Sequence, residues 1–100
     1  MASLQRIVKM TFRAEEISTF EAVFARASPQ IRTFPGCEYL ALWQDQNDPS
    51  IFFTYSHWTG PEALEAYRHS ALFKTTWAKT KPLFAAKPAA WSVDMRAELD

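Results

Sequence analysis

Two stretches, Tyr39-Leu40-Ala41-Leu42-Trp43 and Ile51 to Trp58 (IFFTYSHW), are apolar and aromatic almost without interruption. A strand with one wet face alternates, because successive side chains point to opposite faces of the sheet. Strands that lack this alternation are covered on both faces. A chain of 100 residues with few elements cannot easily cover both faces of its own sheet. The pattern predicts a partner subunit and an enclosed pocket, and it names no reaction.

Length and composition narrow the classes. The chain reads as one domain over 1–100. At this size folding buries about two thirds of the unfolded surface, enough for a core without staples. Hydrophobic residues make up 48% of the chain and aromatic residues 15%, which excludes disorder. Eleven Lys and Arg balance eleven Asp and Glu with no basic stripe, which argues against a nucleic-acid partner. A single cysteine, Cys37, allows no internal disulfide and fits a reducing cytoplasm. The opening MASLQRIVKMTF lacks the charge and apolar pattern of a secretory signal. No stretch approaches the ~18 apolar residues of a membrane span. A cytoplasmic location without membrane association is the expectation.

The elements follow from periodicity. Arg6 to Phe12 reads as a strand with Val8, Met10 and Phe12 on one face and Ile7, Lys9 and Thr11 on the other. Ile17, Phe20, Phe24, Ala27, Ile31 and Phe34 recur at three and four residues, the stripe of an amphipathic helix. Pro29 lies inside that stripe and predicts a kink or break near Ser28; Pro35-Gly36 ends the helix. Cys37 to Gln44 and Ile51 to Trp58 are strands joined by the polar turn Asp45 to Pro49, an antiparallel hairpin. Thr59 and Glu62 have capping-box spacing and Pro61 suits a first helical turn. Helical character then runs to about Ala85, with a plausible break at His69 to Ala71. Ala90 to Arg96 is a last strand, with Trp91, Val93 and Met95 on one face. The order β-α-β-β-α-β predicts a ferredoxin-like α+β sandwich with an antiparallel sheet. Two helices cover one sheet face, so a homodimer packed sheet to sheet would dry the other.

Chemistry-bearing residues are few. The two histidines, His57 and His69, have no carboxylate or thiol at ligand spacing, so no metal site is expected. Two glycines cannot build a phosphate loop. Cys37 reads as a buried, inert thiol. His57, late in its strand, also suits an interface, and His69 a helix surface. Tyr67 on the inward helical stripe is either a core hydrogen-bonder or a pocket donor. Phe73 and Trp77 at helical spacing suit a core as readily as a pocket wall. The spacing predicts His57, Trp58, Tyr67, His69, Phe73 and Trp77 around one pocket between the sheet and the second helical region. Strand parity admits only one of His57 and Trp58, and Trp58 is the favoured wall. His69 lies about 200° from Tyr67 around a helix and reaches the pocket only if the helix breaks near Ser70.

Pro35-Gly36-Cys37, Asp48-Pro49, and FFTYSHW followed by ALEAYRHSALFK resemble the antibiotic biosynthesis monooxygenase family, from Val8 to about Val93. The resemblance implies a dimeric α/β barrel with a pocket between sheet and helices in each subunit. It implies, for some members, cofactor-independent oxidation of aromatic substrates with dioxygen, and for others haem degradation or no known activity. Many members carry Glu before the strand-three Trp where this chain has Ser56, and His where it has Tyr67. Haem-degrading members place the iron-ligating His where this chain has Trp77, which argues against haem.

The resemblance therefore implies a monooxygenase without cofactor, acting on a small aromatic, phenolic or quinol-like substrate. His57, Tyr67 and His69 are its catalytic candidates, and Trp58, Phe73 and Trp77 its substrate-binding walls. The alternatives are a small-molecule-binding or stress-response dimer without turnover, and a dimerising domain whose aromatics merely fill a core. A cavity separates the first two from the third.

Overall fold

A computed structural model describes residues 3–100 of the chain. Its elements are β1 (Leu4–Thr11), α1 (Ile17–Arg32), β2 (Cys37–Gln44), β3 (Ile51–Trp58), α2 (Pro61–Arg68), α3 (Ala71–Thr80) and β4 (Ala89–Val93). Short 3-10 turns precede α1 and follow α3. The strands form one sheet in the order β2-β3-β1-β4. Every pair is antiparallel. This is the ferredoxin-like α+β arrangement expected from the order of elements.

The helix face of the sheet carries Val8 and Met10 of β1, Leu42 of β2 and Phe52 of β3. These side chains meet Ile17, Phe20 and Phe24 of α1 and Phe12, Leu83 and Phe84 in one apolar cluster. A second cluster gathers Cys37, Trp58 and Leu64 with Leu4, Phe34, Ala63 and Tyr67. Burial of this aromatic payload is the main force holding helices to sheet. Gly36, with φ of 91°, turns the chain from α1 into β2. A Cβ there would collide with the Ala63 side chain, so the glycine also lets the start of α2 close on this turn.

Four details differ from the sequence reading. Helix α1 runs unbroken through Pro29. The proline lies in the last turn, and its carbonyl accepts the Thr33 amide (3.2 Å) and hydroxyl (2.9 Å). Only the bond its own nitrogen would donate is lost, which a nearly finished helix tolerates. Thr59 does not cap α2; Gly60 holds the N-cap position without a side-chain bond, and Pro61 alone supplies the expected signal. The second helical region ends as helix at Thr80, with a 3-10 turn to Leu83. Finally, β4 stops at Val93, and Asp94 to Asp100 have no regular structure. The anticipated break in that second region is present. Ser70 adopts an extended conformation, donates its hydroxyl to the Tyr67 carbonyl (2.6 Å) and accepts the Phe73 amide (3.1 Å). One serine thus closes α2 and caps α3.

The opposite sheet face has no cover among the described residues. Tyr39, Trp43, Trp91 and Val93 are 45%, 48%, 48% and 38% exposed there. Tyr55 stacks on Trp43 (4.9 Å) and meets Tyr39 and His57 edge-on. Apolar surface of this kind on one face of a small protein marks an interaction site.

Candidate functional site

A cavity of about 320 Å³ lies between the helix face of the sheet and the three helices. Its walls come from both clusters: Val8, Met10, Phe20 and Phe24 on one side, Trp58, Leu64 and Tyr67 on the other. Its size and mostly apolar lining suit a small aromatic ligand.

Four of the six expected site residues, Trp58, Tyr67, Phe73 and Trp77, line it together. Trp58 is fixed first. It is 1% exposed, and its indole N–H donates to the Ser56 hydroxyl at 3.0 Å. That bond satisfies the indole, so Trp58 is a wall and offers no donor to a ligand. Tyr67 stacks on Trp58 with centroids 5.0 Å apart and planes 26° apart. Phe73 meets Tyr67 edge-on at 5.2 Å and stacks on Trp77 at 5.8 Å. The Ser70 cap, by re-aiming α3, is what continues this aromatic row along the cavity.

The Tyr67 hydroxyl has no protein hydrogen-bond partner among the described residues, and Tyr67 lines the cavity. Burial, with a smaller contribution from the Cys37 charge, pushes its pKa up to about 12. It is therefore a neutral phenol at physiological pH, a hydrogen-bond donor and not a base.

Neither histidine lines the cavity. His57 pairs in register with Tyr39 and Gln5 on the uncovered sheet face. The irregularity between Cys37 and Tyr39 lies in β2, so β3 keeps its alternation and turns His57 away while Trp58 points in. The His57 Nε2 is buried with no partner among the described residues. His69 is an exposed residue at the end of α2, its Nδ1 2.9 Å from the Glu65 carbonyl. The helix does break beside it, yet the break turns α3 and leaves His69 in solvent.

Polar lining comes instead from Arg6, Arg68, Thr54, Ser56, Thr76 and Thr80. No acidic residue lines the cavity among the described residues. Thr80 is engaged, donating to the Thr76 carbonyl at 2.8 Å. Arg6 shares its parity with Val8 and Met10, so a charge stands on the core face of a strand. That inward charge in an otherwise apolar row was the available signal for a site residue. Burial first, and the charge of Arg68 second, lower the Arg6 pKa from its usual value. No group of three His, Cys, Asp or Glu is placed to hold a metal among the described residues. None of the described helices is long and apolar enough to cross a membrane.

A sequence model of the antibiotic biosynthesis monooxygenase family matches residues 4–79. Among solved structures, a mutant of SnoaB, a cofactor-independent oxygenase from Streptomyces nogalater, is similar with a TM-score of 0.88 at 17% identity, over 99% of this chain and 98% of that one. A protein from Mycobacterium tuberculosis has a TM-score of 0.89 at 16% identity, over 99% of this chain and 100% of that one. A conserved protein from Methanosarcina mazei Go1 has 0.90 at 14%, over 96% and 95%. At these identities the likeness to solved structures concerns the fold alone. No curated protein matches the chain significantly.

Proposed function

The chain belongs to the antibiotic biosynthesis monooxygenase family, and from that premise we propose that it oxidises a small phenolic or quinol-like aromatic with dioxygen, without a bound cofactor. The observation that carries this reading is an aromatic cavity lined by one phenol, Tyr67, whose hydroxyl has no protein partner among the described residues. Trp58, Phe73 and Trp77 hold the ring and exclude water. Tyr67 donates to a substrate oxygen and, being neutral, can stabilise charge that develops there.

The electron source is the substrate anion. An ionised phenol transfers an electron to dioxygen, and the two radicals combine at a ring carbon bearing hydrogen to give a peroxide anion. This takes a proton from solvent, and the resulting hydroperoxide loses water. One oxygen atom ends as the new carbonyl and the other leaves as water. No imidazole or carboxylate lines the cavity, so the substrate proton leaves to solvent and the anion enters. His57 and His69 have no part in this reading.

Haem does not fit the cavity. Both histidines lie outside it, Trp77 cannot ligate iron, and the raised Tyr67 pKa disfavours a phenolate ligand. For assembly we propose a homodimer through the uncovered sheet face, where Tyr39, Trp43, Tyr55 and Trp91 would meet a second copy.

The missing base favours one other reading, a binding module of the same shape without turnover. Oxygen uptake separates the two. With naphthols and hydroquinones shown by calorimetry to bind, the oxidase reading expects dioxygen consumption above the spontaneous rate and label from ¹⁸O₂ in the quinone product. Binding without faster uptake would overturn it and leave the module.

A further inference from the structure

Arg6 and Arg68 both line the cavity, and no lining residue is acidic. The chain as a whole is neutral, so this excess of positive charge belongs to the site. Arg6 has no carboxylate partner within ion-pair distance among the described residues. Its guanidinium donates to the Ser92 hydroxyl at 3.0 Å, which satisfies one of five N–H groups and none of its charge. Arg68 meets Glu65 at 3.6 Å, with both side chains about half exposed. Such a pair is weak and readily exchanged. Burial first, and the charge of Arg68 second, lower the Arg6 pKa, so the two guanidinium groups stand near one another. Two like charges beside one apolar cavity call for an anion between them.

We propose that the cavity takes an aromatic acid, with its carboxylate held by Arg6 and Arg68 and its ring against Trp58 and Tyr67. The planar guanidinium fork matches a planar carboxylate with two parallel hydrogen bonds. Arg6 is the cross-strand neighbour of Ser56, which binds Trp58, so the cation stands beside the aromatic wall. The mostly apolar lining and small volume favour a flat ring with one charged group over a larger polyanion. This inference rests on the cavity being a ligand site and is independent of turnover.

The experiment is calorimetric titration of the intact chain with 2-naphthoate and with its uncharged analogue 2-naphthamide, at low and high salt. The expected result is that naphthoate binds about tenfold more tightly at low salt, a preference that shrinks as salt screens it. Arg6→Gln and Arg68→Gln should each remove most of the preference, weakening naphthoate binding far more than naphthamide binding. Arg68 is exposed at a helix end, so its variant reports even if the Arg6 variant fails to fold. Equal binding of the two probes, no binding of either at millimolar concentration, or a preference untouched by Arg68→Gln would overturn the proposal. Equal binding would still leave an aromatic site for the oxygen-uptake test; absent uptake with a naphthoate preference would leave the acid site standing.

Discussion

Replacing Tyr67 by Phe removes one oxygen atom and keeps the ring that stacks on Trp58 at 5.0 Å and meets Phe34 at 5.5 Å. The hydroxyl bonds no protein group among the described residues, so stability near pH 7 should change by only a few tenths of a kcal/mol. At high pH the two proteins should part. In the folded chain burial raises the Tyr67 pKa from 10.0 to about 12. Below pH 10 both folded and unfolded chains hold the proton, and the contribution is fully present. Between pH 10 and 12 the unfolded chain releases it and the folded chain does not, so stability falls as pH rises. Linkage gives about 1.4 kcal/mol at pH 11 and about 2.7 kcal/mol once both states have ionised. Urea midpoints of wild type and Tyr67→Phe, measured from pH 8 to 11 at fixed protein concentration, isolate this residue, because other tyrosines and lysines titrate in both. The variant should become the more stable protein by about 1.4 kcal/mol at pH 11. Parallel curves across that range would refute the placement of Tyr67 in a desolvated wall. At neutral pH the same variant should bind a phenolic ligand more weakly by about 0.5–1.5 kcal/mol, the net value of one hydrogen bond.

Other substitutions test other joints. Ser56→Ala orphans the indole N–H of a fully buried Trp58 and should cost about 1–3 kcal/mol in denaturant unfolding; a loss below about 0.5 kcal/mol would mean that the indole finds another acceptor. Tyr55→Asp puts a charge amid Tyr39, Trp43 and His57 on the uncovered face, and sedimentation at micromolar concentration should shift from dimer to folded monomer. A wild-type monomer, or a variant that stays dimeric, would refute that interface. Hemin should give no stoichiometric His-ligated absorption band, and a complex that turns over with a reductant would contradict the fit argument.

How far the residues announce the fold depends on the range of the forces involved. Strand alternation is local and rigid, so spacing alone groups Val8 with Met10 on one face of β1 and Phe52 with Ser56 on one face of β3. Which β3 face meets the helices depends on pairing register, which sets Met10 opposite Phe52. Pro29 misleads because its cost depends on how many turns follow it, and the helix ends three residues later. Thr59 misleads because Gly36 draws the chain in: the Thr59 amide bonds the Gly36 carbonyl at 2.9 Å, and the cap falls to Gly60. Trp58, Tyr67, Phe73 and Trp77 were foreseeable as neighbours because a short connection returns the chain over its own strand. His57 follows the same alternation outward. Arg6 is hard to read as a site residue because arginine at a strand start is usually solvated, although its parity with Val8 and Met10 points inward.

Arg6 gives physical sense to the departures from the family pattern. Many members have Glu where this chain has Ser56, and Arg6 is the residue directly across from Ser56 in the ladder. A carboxylate there would face the guanidinium on the same side of the sheet and neutralise it. With serine, the hydroxyl turns to the Trp58 indole at 3.0 Å, and Arg6 keeps an uncompensated charge. The second departure, Tyr67 for His, replaces a group that titrates near neutral pH with one held neutral to about pH 12. The two changes act in one direction: the pocket loses its acid and base and gains a fixed positive potential. On the proposed reading such a site takes no proton from its ligand and selects one that arrives already charged. A carboxylate held there would only anchor the ring, and the electrons for any oxidation would come from a phenolate on that ring.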